Sequence, residues 1–392
     1  MHTDFTLTNV RIWDGIADGY IEADAIRIAD GRISAIGRSR LLGGGADAID
    51  QGGLTVLPGL IDAHVHMCLD PEVDSATAQA AVAPDALRSA MTHRADAMVR
   101  AGITTARDLG GGTWVELELR DRIFAGATPG PRLVCAGQPI TSPRGHCFFW
   151  GGEAANLEEA LTVLARQIEH GVDVIKVMAT GGNLTPGSDP VAAQFDEAVL
   201  SALVIAAATH GLRVAAHCHG TAGIRNAARA GVTTVEHCSW RGAAGSGTDF
   251  DVDTARTMAE SGVWASPTLN SSWQRFIGRS GFEDQVRDNY RRMREAGVQL
   301  IASTDAGIPG VRHDDLSRAL PTFAHFAGLT AVQTLRAATR DCAAALGLGA
   351  VTGAVLPGLA ADLLLVEGDP FQDLSVVQAP AAVIARGVMM QL

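Results

Sequence analysis

The chain of 392 residues lacks any apolar run that approaches the roughly 20 residues needed for a membrane-spanning helix. It also lacks paired cysteines, because its six cysteines are scattered without a CxxC motif and are too sparse for a disulfide scaffold. We find no low-complexity tract and no repeat of fixed period. A content of 47% hydrophobic and 19% charged residues is a globular balance. These features predict a folded chain with reduced thiols and no membrane partner.

The chain also has fewer basic than acidic residues, and its net charge at pH 7 is −12. Such a balance argues against nucleic acid or an anionic membrane as a partner. The first ten residues contain no basic segment followed by an apolar stretch, which is the pattern of an export signal. We therefore expect a cytoplasmic protein that acts on a small molecule, and we expect it to be a homo-oligomer.

Two kinds of strand pattern divide the chain. In residues 57–350, short apolar runs alternate with alanine-rich helical stretches, which is typical of an α/β protein with a (β/α)8 TIM barrel. In residues 1–56 and 351–392, strand-like pieces are separated by turns, and the second segment cannot easily form a sheet alone. We predict that these two ends form one composite β-sandwich domain beside the barrel. The predicted barrel strands are 59–65, 103–108, 132–136, 174–178, 213–217, 234–237, 263–267 and 300–305.

Possible metal ligands fall where these predicted strands end, which is where barrel enzymes carry their catalytic groups. His64 and His66 are two residues apart on one strand and therefore project from the same face. Imidazole and carboxylate-type ligands suit Zn²⁺, Mn²⁺ or Co²⁺ better than Ca²⁺. The predicted ligands are His64, His66, Lys176, His217, His237 and Asp305.

Lys176 is the unexpected member of this set, because an ammonium group has no lone pair to offer a metal. Reaction with CO2 would convert its amine into a carbamate, an anionic ligand whose two oxygens can bridge two cations. The sequence therefore predicts two divalent metal ions about 3.5–4 Å apart, holding a hydroxide that attacks a carbonyl. Asp305 would bind a metal and also carry the proton from the water to the leaving nitrogen.

Three segments resemble the amidohydrolase superfamily, and the resemblance covers nearly the whole chain. Residues 58–66, PGLIDAHVH, resemble its strand-one motif, and residues 358–370, GLAADLLLVEGDP, are similar to its C-terminal β-domain signature. Residues 175–182, IKVMATGG, narrow the match to a branch with a carboxylated lysine. That branch looks like the Xaa-Pro and Xaa-Arg dipeptidases and the ochratoxin-type amidases, which are imidazolonepropionase-related.

The resemblance implies a (β/α)8 barrel that hydrolyses amide bonds with two metal ions, usually zinc. It also implies how the ligands divide between the two metals. His64 and His66 would bind one metal with Asp305, His217 and His237 would bind the other, and Lys176 would lie between them.

The segment around His217 departs from that branch. Its proline dipeptidases usually follow this histidine with Ala-Tyr, and the tyrosine hydroxyl assists the scissile carbonyl. Here the sequence is His-Cys-His-Gly, and strand alternation places His219 on the face of His217. His219 could donate a hydrogen bond to the developing oxyanion, or it could satisfy only its own loop. Strict Xaa-Pro specificity is therefore an open question.

A loop rich in cations and aromatic residues, 141–151 (TSPRGHCFFWG), follows the third predicted strand. Similar loops in the resembling branch carry a Gly-His element near the substrate, so we predict that His146 contacts the substrate. Arg144 could bind a substrate carboxylate with its planar guanidinium. Other arginines on the same side could do so or could be solvated loop residues; they are Arg241, Arg275 and Arg312.

The leading functional hypothesis is a metal-dependent amidohydrolase that cleaves an amide bond of a small, carboxylate-bearing substrate such as a dipeptide or an N-acyl amino acid. Alternatives on the same metal centre are a cyclic amide hydrolase, a deaminase, or a hydrolase of carbamates, esters or lactones. Deaminases and imidazolonepropionases typically use one metal and lack the carboxylated lysine, so Lys176 argues against both. A different class is a catalytically silent metal-binding protein.

Overall fold

The structure, a computed structural model, describes residues 4–43, 45–75, 78–79 and 81–392. The strands, numbered in chain order, are β1 Phe5–Thr8, β2 Arg11–Ile12, β3 Ala25–Ala29, β4 Arg32–Gly37, β5 Ala48–Asp50, β6 Thr55–Pro58, β7 Leu60–Val65, β8 Ile103–Asp108, β9 Arg132–Cys135, β10 Val174–Met178, β11 Arg213–Gly220, β12 Thr234–Arg241, β13 Trp264–Ser266, β14 Leu363–Val366, β15 Pro380–Ala385 and β16 Val388–Met389.

The α-helices are α1 Ser39–Leu42, α2 Pro84–Arg100, α3 Val115–Phe124, α4 Leu157–Glu169, α5 Glu197–Ala208, α6 Thr221–Ala230, α7 Val252–Glu260, α8 Phe282–Glu295, α9 Leu316–Ala327, α10 Ala331–Ala337 and α11 Arg340–Leu346. Short 3-10 helices span Phe148–Trp150, Ser271–Phe276 and Leu374–Gln378. No helix in the described ranges combines the length and apolar character needed to cross a membrane.

Local side chains set where several helices begin. Asn156, Asp196 and Asp251 precede α4, α5 and α7, and each accepts a hydrogen bond from a backbone N–H of the first turn. These residues satisfy donors that have no partner inside the helix, which is worth about 1 kcal/mol per cap. The caps thereby help to end each connecting loop and start the helix that packs behind the strands.

Parallel strands form the central part of the fold. Strands β7, β8 and β9 make one parallel sheet, and β10, β11, β12 and β13 make another. Every residue of β7, β8 and β10 is buried, as expected for parallel strands that are covered on both faces. The predicted strands 103–108 and 174–178 are confirmed at both ends, and β11 and β12 continue beyond the predicted ends to Gly220 and Arg241.

The predicted eighth strand, 300–305, is not a regular strand. Its backbone nevertheless lies between β13 and β7, since Ile301 N donates to Ala265 O at 3.0 Å and Asp305 N donates to His64 O at 2.9 Å. The ladder is interrupted because Thr304 N donates instead to the Asp62 side chain at 3.1 Å. The left-handed backbone of Asp305, with φ of 62°, also departs from strand geometry.

Strands from both ends of the chain pair with each other. One sheet has the order β16-β15-β14-β6-β2 and therefore combines residues from before and after the central part, and a second sheet has the order β4-β3-β1-β5. Apolar side chains of both sheets share one core, which includes Leu7, Ile28, Val56, Leu365 and Ile384. The predicted domain limits, 1–56 with 351–392 and 57–350, remain a prediction.

Candidate metal centre and active site

A cavity of about 510 Å³ contains all six predicted metal ligands in its lining. His146 and His219 line the same cavity. The lining therefore includes six histidines from four separate segments of the chain. The protein-derived donors in the lining are His64, His66, His146, Lys176, His217, His219, His237 and Asp305.

Three hydrogen-bond acceptors converge at the ends of β7 and of the run 300–305. His64 Nε2 and His66 Nε2 lie 3.3 Å apart. Asp305 Oδ1 lies 3.3 Å from the first nitrogen and 3.4 Å from the second. His66 Nδ1 must carry its proton, because its partner at 3.0 Å is the carbonyl oxygen of Gly110, and His64 Nδ1 faces the Glu236 carboxylate at 2.9 Å. With a proton on each Nδ1, both Nε2 atoms can present lone pairs.

This arrangement fits a divalent metal ion. Metal–ligand bonds of about 2.0–2.1 Å place neighbouring corners of a tetrahedron about 3.3–3.4 Å apart, and these three acceptors have that spacing. Without a cation, three lone-pair-bearing atoms at this distance would repel one another in a buried site. His64, His237 and Asp305 also offer three ligand atoms within 4.8 Å of one another.

A second group of donors comes from β11 and β12. His217, His219 and His237 offer three ring nitrogens within 4.8 Å of one another. His217 Nε2 lies 2.9 Å from the carbonyl oxygen of Gly181, so this nitrogen donates and Nδ1 keeps the lone pair. His237 Nδ1 contacts Thr268 Oγ1 at 2.9 Å, which holds the ring in position. Burial is the main reason why the pKa values of His217 and His237 lie well below the ordinary histidine value, so both rings are neutral and could act as ligands.

His219 was predicted to help the oxyanion, and the structure places its ring among these ligands. Its ring stacks on that of His237 with centroids 4.5 Å apart, and its Nδ1 lies 3.0 Å from Ser239 Oγ. Burial and the charge of Arg241 lower the pKa of His219 to about 4. Its geometry suits either a hydrogen-bond partner of the substrate or a third histidine ligand.

Lys176 is the only lysine in the chain and is 1% exposed. It lies on β10, between the two histidine groups in chain order. Burial lowers the pKa of its ammonium to about 8, although Glu236 and Asp305 act in the opposite direction. A neutral amine is therefore accessible near neutral pH, and only a neutral amine can react with CO2 to form a carbamate.

Sequence reasoning missed the ion pair between Arg107 and Glu236, which contacts His64 at Nδ1, on the side of the ring away from Nε2. Glu236 Oε1 accepts a hydrogen bond from Arg107 at 2.8 Å, while Glu236 Oε2 faces His64 Nδ1. Burial alone would raise the pKa of Glu236, but Arg107 and His64 outweigh it and hold the pKa below its ordinary value. The signal was present in the sequence, since Arg107 and Glu236 are charged residues inside runs predicted to be buried strands.

Two of the predicted ligands have left-handed backbone conformations. His237 has φ of 64° and Asp305 has φ of 62°, which is uncommon for residues with a side chain and costs of order 1–3 kcal/mol each. Both side chains line the cavity from these positions. Burial alone would raise the pKa of Asp305, but His64 and His66 outweigh it and lower the pKa, so the carboxylate is ionised.

The two predicted substrate contacts of the loop 141–151 lie in different surroundings. His146 is buried in the cavity lining, with its ring centroid 4.5 Å from that of His217, and its Nδ1 has no hydrogen-bond partner among the described residues. Arg144 is exposed and does not line the cavity; its backbone N–H donates to the Glu153 side chain at 2.7 Å. The structure thus brings His146, but not Arg144, to the predicted metal ligands.

Comparison with known proteins matches the amidohydrolase family over residues 55–390. Ochratoxinase from Aspergillus niger is 27% identical over 369 residues, which cover 84% of this chain and 73% of that protein. Imidazolonepropionase from Ralstonia nicotianae is 27% identical over 394 residues, covering 92% and 90% of the two chains. The crystal structure of a Xaa-Pro dipeptidase with bound methionine is similar over the full length of both chains, with a TM-score of 0.87 and 27% identity.

These matches confirm the resemblance seen in the sequence and imply a TIM-barrel-like α/β fold. They support an enzyme that hydrolyses carbon–nitrogen bonds, in a family that generally uses divalent metal ions. Small-molecule substrates fit this class of hydrolase. The chain belongs to the amidohydrolase family.

Proposed function

We propose that this protein is a metal-dependent amidohydrolase that cleaves the amide bond of a small, carboxylate-bearing substrate such as a dipeptide or an N-acyl amino acid. The observation that carries the proposal is the convergence of His64 Nε2, His66 Nε2 and Asp305 Oδ1 at mutual distances of 3.3–3.4 Å. Such a buried group of acceptors is stable when a cation binds between them. A divalent cation held by these acceptors at one end of parallel strands could activate water for hydrolysis.

The same proposal includes the finer points of the fold. We infer that eight strands close into a (β/α)8 barrel and that the two end sheets form a β-sandwich. Parallel bridges support closure, because they join Ile140 to Val177, Ala265 to Leu300 and Val65 to Ala306, between or beside the two parallel sheets. The shared apolar core of the two end sheets supports the sandwich.

Two divalent cations, with zinc the expected metal, would be held by this chain's own donors. His64, His66 and Asp305 would hold one, His217 and His237 would hold the other, and a carbamate on Lys176 would lie between them. The chemistry that such a pair supplies is activation of water and polarisation of the scissile carbonyl. Side-chain amine and CO2 would combine to form the carbamate with loss of one proton.

Side chains of the cavity would then carry the remaining steps. Asp305 would hold the proton released from the attacking water on its carboxylate and deliver it to the leaving nitrogen. His219 or His146 would donate a hydrogen bond to the developing oxyanion. Glu236 would keep His64 oriented with its Nε2 toward the cavity.

The remaining lining of the cavity limits the substrate. Apolar and aromatic side chains make up much of the lining, including Met178, Leu184, Trp273 and Ile308. A volume of about 510 Å³ suits a small ligand rather than a folded protein. A dipeptide or N-acyl amino acid with an apolar side chain would fill this space.

The proposal is tested by a substrate panel with metal-loaded protein. The panel contains N-acyl amino acids and dipeptides, including Xaa-Pro, Xaa-Arg and N-aryl-acyl members, together with esters, lactones, cyclic amides and ring amines. We expect amides that carry a carboxylate to be hydrolysed with the highest kcat/KM. Preference for uncharged esters or ring amines over every carboxylated amide would overturn the substrate class.

Metal counting separates the two-metal scheme from the one-metal alternatives. We expect two divalent ions per chain by elemental mass spectrometry, and we expect Lys176→Ala to lose turnover. One tightly held ion per chain with a fully active Lys176→Ala variant would contradict the two-metal scheme. Cytoplasmic location and homo-oligomeric assembly remain predictions.

A further inference from the structure

Among the described residues, no arginine lines the cavity, so the lining itself offers none that could bind a substrate carboxylate. Its charged residues, within the described ranges, are Lys176, Asp305 and Asp74, apart from the histidines. Lys176 and Asp305 belong to the proposed metal centre, and Asp74 is exposed and negative. If the substrate carries a carboxylate, as proposed above, the cation that binds it must therefore come from a residue just outside this lining.

Arg241 reaches the rim of the cavity. It is the last residue of β12, four positions after His237, and pairs in register with Gly220 at the end of β11. Its Nη1 lies 3.4 Å from Oδ1 of Asn183, an exposed residue of the cavity lining. The positive charge of Arg241 also acts on His219, within the same cavity.

The other arginines considered from the sequence are less suited to this role. Arg312 already forms two hydrogen bonds with Asp314, at 2.9 and 3.2 Å, so a second carboxylate would have to displace the first. Arg275 lies over the Phe276 ring, 4.8 Å from its centroid, and Arg144 is exposed; neither lines the cavity.

Arg241 differs from these arginines because its hydrogen-bond acceptor, the side-chain oxygen of Asn183, is neutral and can be replaced. A contact of 3.4 Å to an amide oxygen is long for a hydrogen bond, whereas charge-assisted bonds from a guanidinium to a carboxylate are shorter and roughly twice as strong. Exchange of the Asn183 oxygen for a substrate carboxylate is therefore favourable. The planar guanidinium can also bind both carboxylate oxygens at once, which would orient the substrate.

We propose that Arg241 is the residue that selects carboxylate-bearing substrates, by binding the carboxylate at the cavity rim beside Asn183. The scissile amide would then extend toward the histidines carried by β7, β11 and β12. Arg241 acquires this role only if the proposed hydrolysis of carboxylate-bearing amides is correct.

The test compares hydrolysis of the N-acetyl bond in N-acetyl-L-leucine, which ends in a carboxylate, and in N-acetyl-L-leucinamide, which ends in a neutral carboxamide. We expect the native protein to hydrolyse the acid with the higher kcat/KM. In Arg241→Gln we expect kcat/KM for the acid to fall about 10–100-fold, the loss of one charge-assisted hydrogen bond, with little change for the amide. Arg241→Lys should recover part of the loss, because it keeps the charge but not the fork.

Arg256→Gln is the matched control, because Arg256 is a surface residue of α7 that pairs with Asp253 at 2.9 Å. It should keep the native preference for the acid. An unchanged acid-to-amide ratio in Arg241→Gln, or loss of the preference in Arg144→Gln instead, would overturn the proposal. Faster hydrolysis of the amide by the native protein would mean that Asp74 dominates the rim and would also overturn it.

Calorimetric binding of the same two compounds to metal-loaded protein separates this proposal from the proposed function. If the native protein hydrolyses neither compound nor any other amide of the panel, the proposed function fails. Binding of the acid that weakens about 10–100-fold in Arg241→Gln would still support carboxylate recognition. Equal binding by both proteins would refute it, whatever the hydrolysis result.

Discussion

Arg107 donates a hydrogen bond to Glu236 at 2.8 Å, and the two side chains are 3% and 0% exposed. The second oxygen of the same carboxylate faces His64 Nδ1 at 2.9 Å. Arg107 also donates to the carbonyl oxygen of Ala63, the residue before His64. The buried pair therefore supports both the ring and the backbone of a proposed metal ligand.

Glu236→Gln is expected to weaken both folding and metal binding. Glutamine offers one acceptor oxygen to the two donors His64 and Arg107, so one buried donor loses its partner. We expect a loss of about 3–5 kcal/mol in the free energy of unfolding, as for a broken buried ion pair. Metal affinity, measured by competition with a chelator, should fall about 10–100-fold.

The double variant Arg107→Met, Glu236→Leu is the control for this prediction. Removal of both charges should recover part of the stability, because no buried charge is left unpaired. Metal affinity should remain low, since His64 still lacks its partner. Recovery of metal affinity together with stability would contradict a role for Glu236 in orienting His64.

The proposed carbamate on Lys176 can be assigned by substitution, because the chain has no other lysine side chain. Protein loaded with metal in ¹³C-bicarbonate should show a carbamate signal by ¹³C NMR that is missing from the spectrum of Lys176→Ala. The variant should also bind fewer than two metal ions, and added short carboxylic acids should restore part of its activity by filling the vacated space. A metal-loaded, active protein without the signal would contradict the carbamate.

Asp305→Asn is expected to lower kcat about 10²–10⁴-fold, because an amide cannot hold the proton that passes from water to the leaving nitrogen. Circular dichroism and metal content show whether the variant is folded and loaded. Asp314→Asn is the control, since Asp314 pairs with Arg312 and does not line the cavity. Unchanged turnover by Asp305→Asn would contradict Asp305 as the carrier of that proton.

His219→Gln distinguishes the two roles that its position allows. We expect kcat to fall about 10²–10³-fold, as for loss of one oxyanion donor, with two metal ions still bound. Loss of one metal ion would instead assign His219 as a ligand beside His217 and His237. Cobalt-loaded protein offers a second readout, because a change of ligand alters its visible absorption spectrum and a lost donor to the substrate does not.

The buried carboxyl of Glu116 leads us to expect that the free energy of unfolding falls as pH rises. Burial raises the pKa of this carboxyl to about 8, and neither oxygen has a hydrogen-bond partner among the described residues. The folded-state pKa of Glu116 lies above the unfolded value of about 4.3. The stability that the protonated carboxyl allows is therefore fully present below about pH 4.3, where both states are protonated. It is lost as pH rises through about 8, because the unfolded state gives up its proton first. Denaturant unfolding should show stability decreasing from pH 5 to 9, and Glu116→Gln should flatten the decrease. An identical slope in both proteins would contradict the buried acid.

The strands that carry the site were largely predictable because buried parallel strands are short, continuous apolar runs bounded by polar residues. Strands β8 and β10 agree with the predicted ranges at both ends. The exposed strand β5, Ala48–Asp50, was not predicted, since two of its three residues are exposed and carry no burial pattern. The run 300–305 has the apolar pattern of a strand, but the side chain of Asp62 takes one of its backbone donors.

The sequence alone singled out the six proposed metal ligands, because each lies in or directly after an apolar run. His64 and His66 share a face through strand alternation, which is a local property. The contacts that support or surround these residues could not be read from the sequence and are set by folding. Arg107 and Glu236 are 129 positions apart, and Asn183 and Arg241 are 58 positions apart. Local periodicity sets the side of a strand from which a residue projects, whereas contacts over such separations exist only after distant segments pack together. The support of His64 and the choice among the arginines therefore depend on the tertiary structure.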